Sequence, residues 1–188
     1  MTKHTLVTKA RQLAGSLNAA GRCLDLAWWT CVVLGKAGYD VCFQAGSASW
    51  PLRPDWNRAE GITHVGFEWN AKSAGVFMSQ MLGDADPDAI PLPEIHCWAG
   101  IAQTQEVIDL STCFLPDICN NMNGHRYDMP VIDYIWENGR ELADRGIVYR
   151  VDRDATLFAF SLMQTITSIE RSPSEQGKAR NTAQQTRT

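Results

Sequence analysis

The sequence predicts an α+β domain in which a central helix packs on an antiparallel sheet, and three observations predict it. The run Arg22–Leu34 is apolar nearly all round and ends at Gly35 and Gly38, as a buried helix with a glycine stop does. Residues 95–101 and 106–110 are apolar segments separated by a short polar stretch, the pattern of a hairpin. Between them, Val65, Phe67 and Trp69 alternate with His64, Gly66 and Glu68, the period of a half-buried strand.

Taken in order, Leu6, Val7, Leu13 and Leu17 recur at roughly helical spacing and predict an amphipathic helix over 3–18, loosened at Gly15, Asn18 and Gly21. The central helix begins at or just after Gly21, which puts Cys23 in its first turn. Residues 39–45 read as a strand and 47–61 as a loop, because Pro51 and Pro54 punctuate it. A strand over 63–69 follows. A long, mostly irregular insertion comes next (70–93), with a helical turn at 76–82 and an acidic, Pro-rich end. After the hairpin, Asp128 and Pro130 introduce a helix over 131–142, residues 147–151 form a strand, and 157–169 suit either helix or strand. The expected sheet has roughly four to six strands. Residues 1–170 form one domain. The tail from 171 to 188 has no large apolar residue and is expected to be disordered.

The 188 residues, 45% hydrophobic and 20% charged, suffice for a single core without a metal or disulfide staple. A net charge of −4 gives no electrostatic footprint for nucleic acid or an anionic membrane. The longest apolar stretch, 24–34, is too short to span a bilayer, and residues 1–11 lack the apolar segment of a secretory signal. The expectation is a cytoplasmic protein whose six cysteines are thiols.

Cys23 is the informative residue. Unpaired amides at a helix N-terminus stabilise a thiolate and can donate to an oxyanion beside it. His96 and Asp109, 13 positions apart, project from one sheet face if the hairpin loop has an even number of residues. A register that opposes them sets Trp98 against Val107 and Cys97 against Ile108. Asp109 then accepts from one ring nitrogen of His96, and the other faces the sulfur.

Gly21-Arg22-Cys23 opening a helix, then His96-Cys97-Trp98-Ala99, then Val107-Ile108-Asp109-Leu110-Ser111, resembles the bacterial transglutaminase-like superfamily. The layout is shared with arylamine N-acetyltransferases and with the wider papain-like cysteine protease fold. Ala27 and Gly38-Tyr39-Asp40-Val41 fit the same pattern, and the resemblance covers about residues 15–112. It implies a Cys-His-Asp triad: Cys23 as nucleophile, His96 as general base and acid, Asp109 as the group that orients His96. It also implies a papain/transglutaminase-like fold and a cysteine-dependent acyl-transfer enzyme, hydrolase or transferase, that works through a thioester. Its substrate would be a peptide or amide, protein side chains included, and it would need no cofactor. The sequence departs from the family in the 70–93 insertion and in lacking the papain-type glutamine before the nucleophile, and its 188 residues are too few for the second domain that arylamine N-acetyltransferases usually carry.

Asn18 is the nearest amide for an oxyanion hole, and the amide of Cys23 itself is the stronger one. Trp98 is expected beside the imidazole, where a ring excludes water. Trp50 and Trp56, in the Pro-rich loop, are candidates for an aromatic wall to a substrate groove, whereas Trp28, Trp29 and Trp69 suit the core. Glu94 shares the strand face of His96; His64 and His125 read as surface or structural residues. Cys97, Cys113 and Cys119 with His96 and His125 lack the close Cys-x-x-Cys pairs of a zinc site, so no metal is expected. Cys31 and Cys42 read as packing thiols. Two other classes remain beside the enzyme: a catalytically inactive binding member of the same fold, and a metal-binding regulator.

Overall fold

The structure, a computed structural model, describes residues 1–15, 22–52, 64–74, 94–117 and 131–171, the side chains of 168–171 excepted. Among them are helices α1 (Lys3–Leu13), α2 (Arg22–Lys36), α3 (Gly139–Asp144) and α4 (Arg153–Arg171). The strands are β1 (Val41–Pro51), β2 (His64–Phe67), β3 (His96–Ile101), β4 (Glu106–Asp109), β5 (Ile135–Asn138) and β6 (Val148–Val151).

The fold is α+β, and its antiparallel sheet is curled into a half-barrel. The first half of β1 pairs with β3, and β4 and β5 continue the meander on that side. At Gly46, β1 is paired with His96 of β3 and Val151 of β6, so those strands lie on opposite edges. Ala48 pairs with Phe67 of β2 and Tyr149 of β6. The short β2 therefore prolongs the β3 edge, and β6 flanks the other. Gly46 is what admits β6 so closely: a Cβ there would fall on the Arg150 carbonyl oxygen.

Helix α2 forms where the all-round apolar run predicts it. Its C-terminus is closed by Tyr39 N–H to Leu34 O (3.1 Å) and Gly38 N–H to Gly35 O (3.1 Å). That double bond requires the left-handed φ of 89° that Gly38 adopts. Leu26, Val33 and Leu34 pack with Leu6, Val7 and Ala10 of α1 against Ala99, Ile101 and Ile108 of the sheet. Leu24 and Ala27 meet Ala155, Ala159 and Met163 of α4 over Ala45 and Cys97. A separate cluster of Trp50, Trp98, Leu115, Ile135, Leu142 and Ile147 gathers about the other residues of β1 and β3. Helix α1 is tied to the far end of the sheet by Arg11, which reaches Asp133 Oδ1 at 2.9 Å.

Three expectations are corrected. Helix α1 stops at Leu13, with Ala14 already extended and Gly15 N–H drawn to Asp25 Oδ2 at 2.7 Å. Residues 47–51 belong to β1, not to a loop, because Ser47–Pro51 find partners on both edges; Pro51 is tolerated as the last residue of the strand. The helix expected over 131–142 is a strand followed by a short helix. Residues 135–138 complete the edge of β4, and the Asn138 side chain caps α3 by accepting from Arg140 N–H at 2.9 Å. The open choice at 157–169 resolves as helix, within α4. Most of the 70–93 insertion and the tail from 172 lie outside the described residues; 71–74 form a helical turn. Among the described residues no helix is long and apolar enough to cross a membrane.

Candidate active site

Cys23 occupies the second residue of α2, which begins beside the start of β3: the sulfur lies 3.9 Å from the Ile95 carbonyl oxygen. The His96 ring and the Cys97 thiol both act on its titration, and Cys23 packs in one cluster with Cys97. His96 Nε2 lies 2.7 Å from Asp109 Oδ2. Because an ionised carboxylate can only accept, Nε2 donates, and Nδ1 is left for the sulfur. The three residues run from the half-buried Cys23 through a buried imidazole to a carboxylate that is 1% exposed.

The expected register is wrong by two residues, and the reason is the loop. Ala99 opposes Ile108 and Gly100 opposes Val107, so Trp98 does not face Val107 nor Cys97 Ile108. Four loop residues, 102–105, rather than two close the hairpin, with Gln105 in the left-handed region (φ 53°). A slip of two leaves every side chain on its face. Asp109 consequently reaches His96 diagonally instead of directly across.

Asp109 is held at both oxygens. Ser111 donates to Oδ1 through its N–H (2.8 Å) and its hydroxyl (2.7 Å), and Tyr149 OH donates to Oδ2 at 2.8 Å. Burial alone would raise this carboxyl. The positive charge of His96 and the bonds from His96 and Ser111 outweigh it and hold the group below its ordinary range. Burial likewise opposes charge on His96, but the Asp109 charge and hydrogen bond, with a smaller part from Cys23, raise the imidazole to about 10. The Cys23 thiol is lowered well below its usual value, first by the Cys97 side chain and then, against burial, by hydrogen bonding and charge from His96. Tyr149 is pushed well above its ordinary range by burial and by the charge of Asp109, so it stays a donor.

The aromatic surroundings of His96 are dense. Phe67 stacks on the ring at 5.3 Å and Trp98 at 6.0 Å, while Trp50 meets it edge-on at 5.0 Å. Trp98 thus lies where expected, its indole N–H donating to Gln44 Oε1 at 2.7 Å. Trp50 does not line an open groove. It is 1% exposed because its position in β1 turns it into the sheet cluster beside the imidazole. Trp28, Trp29 and Trp69, expected in the core, are only half-buried, at the margin of the helical layer. Asn18, Trp56, Cys119 and His125 lie outside the described residues. Glu94 is exposed and accepts from the Glu68 N–H at 3.0 Å; His64 is exposed on β2. Among the described residues no group of three or more His, Cys, Asp or Glu side chains converges in a way that could hold a metal ion.

Sequence reasoning missed four residues. Ser111 was readable in principle, since an aspartate that bonds the N–H two residues on is a local turn habit. Tyr149, Gln44 and the buried Asp25 carry no local signal, as each acts through contacts remote in the chain. Comparison with known protein families, with curated proteins and with solved structures finds no match.

Proposed function

We propose that the chain is a cysteine-dependent acyl-transfer enzyme, an amide or peptide hydrolase or a transferase of transglutaminase-like type. The observation that carries this reading is the buried His96–Asp109 pair at 2.7 Å, with Cys23 in the first turn of α2 beside the residue that precedes His96. A raised imidazole and a lowered thiol favour transfer of the thiol proton to His96 in the resting site, a thiolate–imidazolium pair.

In this reading the Cys23 thiolate attacks the carbonyl carbon. The oxyanion that forms is met by the backbone N–H of Cys23 and the positive end of α2. His96 gives its Nδ1 proton to the departing amine as the C–N bond breaks, which leaves a thioester. Water or a second amine then attacks, His96 takes the proton back, and the C–S bond breaks to regenerate the thiolate. Asp109 keeps the ring oriented and its charge matched throughout. The substrate is a peptide or amide of small-molecule or protein origin, and a cytoplasmic site of action fits the reducing conditions a free thiolate needs.

Alkylation by iodoacetamide at neutral pH, followed by peptide mapping, tests this. Cys23 is expected to react far ahead of the other cysteines, and His96→Ala to remove that lead. Equal labelling of all accessible cysteines would favour an inactive binding member of the fold instead.

A further inference from the structure

Cys97 forms no bond in the acyl-transfer cycle, yet it packs in the same cluster as the one sulfur that does. Among the described residues, Cys23 and Cys97 are the two cysteines that share a packing cluster. Cys31 lies two helical turns further along α2, Cys42 is exposed and directed to the Gly100 carbonyl oxygen, and Cys113 approaches that of Leu110. Cys97 is 1% exposed under α2 and α4, so no external thiol, metal chelator or alkylating reagent reaches it from solvent. A buried thiol that packs in the cluster of a reactive one has that thiol as its reaction partner among the described residues. We infer that Cys23 and Cys97 form a reversible oxidative modification site, Cys97 being the resolving thiol that captures Cys23 after attack by hydrogen peroxide.

The electrons balance with peroxide as the only co-reactant. The Cys23 thiolate attacks one peroxide oxygen, the O–O bond breaks, and the departing hydroxide takes the His96 proton and leaves as water. Cys23 is then a sulfenic acid. The Cys97 sulfur attacks that sulfur, an S–S bond forms and the S–O bond breaks, and hydroxide leaves with the Cys97 proton as a second water. Two thiols are oxidised and one peroxide is reduced. Burial, reinforced by the neighbouring Cys23, pushes the Cys97 thiol well above its usual range, so it stays protonated and does not compete with Cys23 for the oxidant. The outcome is a nucleophile parked as a disulfide, protected from irreversible oxidation and restored by a thiol reductant.

This inference rests on the proposed function only in taking Cys23 to be the reactive thiol. Its test is treatment of the full chain with equimolar hydrogen peroxide, then peptide mapping without reduction. The expected product is a peptide pair linked Cys23 to Cys97, which dithiothreitol separates. In Cys97→Ala the same treatment should leave a dimedone-trappable sulfenic acid at Cys23 that advances to sulfinic acid. If circular dichroism shows that variant unfolded, the wild-type map decides alone. Sulfinic acid at Cys23 with Cys97 still reduced, or a disulfide from Cys23 to any other cysteine, overturns the inference. The two readings fail separately: slow alkylation of Cys23 ends the acyl-transfer proposal, whereas fast alkylation without a Cys23–Cys97 bond ends this one.

Discussion

The two ends of the Cys23–His96–Asp109 chain are built in opposite ways. At the carboxylate end, four donor groups converge on two oxygens that solvent does not reach. At the sulfur end, Cys23 as a residue is only half-buried and its contact with the Ile95 carbonyl is a long one, at 3.9 Å. The difference separates orientation from reaction. A buried carboxylate is tolerable only when its lone pairs are satisfied, so that end has to be rigid. In the proposed reaction the sulfur approaches a carbonyl carbon and carries it, which asks for an end that can be reached. His96, flat against Phe67 and Trp98, passes the charge of one end to the other.

The largest effect should come from breaking the rigid end. Asp109→Asn replaces an acceptor of four bonds by a group that is half donor, and it removes the charge that raises His96. Breaking such a buried pair costs about 3–5 kcal/mol, which urea unfolding at neutral pH will read. The sign of the pH dependence follows from the lowered Asp109 carboxyl. Its contribution is present above the ordinary carboxylate range and is lost as pH falls through the folded value. Wild type should therefore lose that contribution in acid, and the variant should lack that limb. A variant as stable as wild type would mean that the carboxylate is not held as described.

Next is the link. With His96→Ala the Cys23 thiol loses its hydrogen-bonded cation, and an ordinary thiol is only about 3% ionised at pH 7. The alkylation rate should fall about thirtyfold. The wild-type rate should stay level from below the usual thiol range up to about 10, where His96 gives up its proton. The variant should instead climb through the usual thiol range or above. A superimposable pair of profiles would detach the imidazole from the sulfur.

This pair of residues was legible in the sequence, and its survival of a wrong register explains why. Side-chain parity in a strand has a period of two, so His96 and Asp109 stay on one face whether the loop holds two residues or four. The position of Cys23 was legible because the start and the glycine stop of α2 are local signals. The reading failed where a local pattern competed with a distant partner. Ile132, Ile135, Trp136 and Leu142 have helical spacing, but the open edge of β4 claims 135–138 as a strand. Pro51 and Pro54 made Trp50 look like part of a loop, although pairing with Val65 of β2 keeps it in β1. Tyr149 could not be found at all, because it meets Asp109 from a strand 40 residues away.

Tyr149 offers a finer cut. Tyr149→Phe keeps the ring against Trp50 and Trp98 and removes one donor from Asp109 Oδ2. A hydrogen bond to a charged group is worth about 1.5–3 kcal/mol, and the lower part of that range is expected because His96 still donates to the same oxygen. Urea unfolding should show the loss, while Cys23 alkylation at pH 7 stays within about threefold of wild type. A fall as large as that of His96→Ala would make Tyr149 part of the charge relay and not only of its support.

The smallest effect belongs to Ser111→Ala. The hydroxyl bond at 2.7 Å disappears, but the Ser111 backbone N–H remains 2.8 Å from the same oxygen and cannot be removed by changing the side chain. Asp109 Oδ1 therefore stays satisfied, and the loss should be about 1 kcal/mol in urea unfolding with no change in the pH at which Cys23 alkylation levels off. The backbone donor is fixed by the turn that follows β4, so the carboxylate keeps its place after its side-chain partner is gone. If alkylation fell together with stability, the orienting end would be softer than its hydrogen bonds imply, and rigidity there would depend on the hydroxyl and not on the turn.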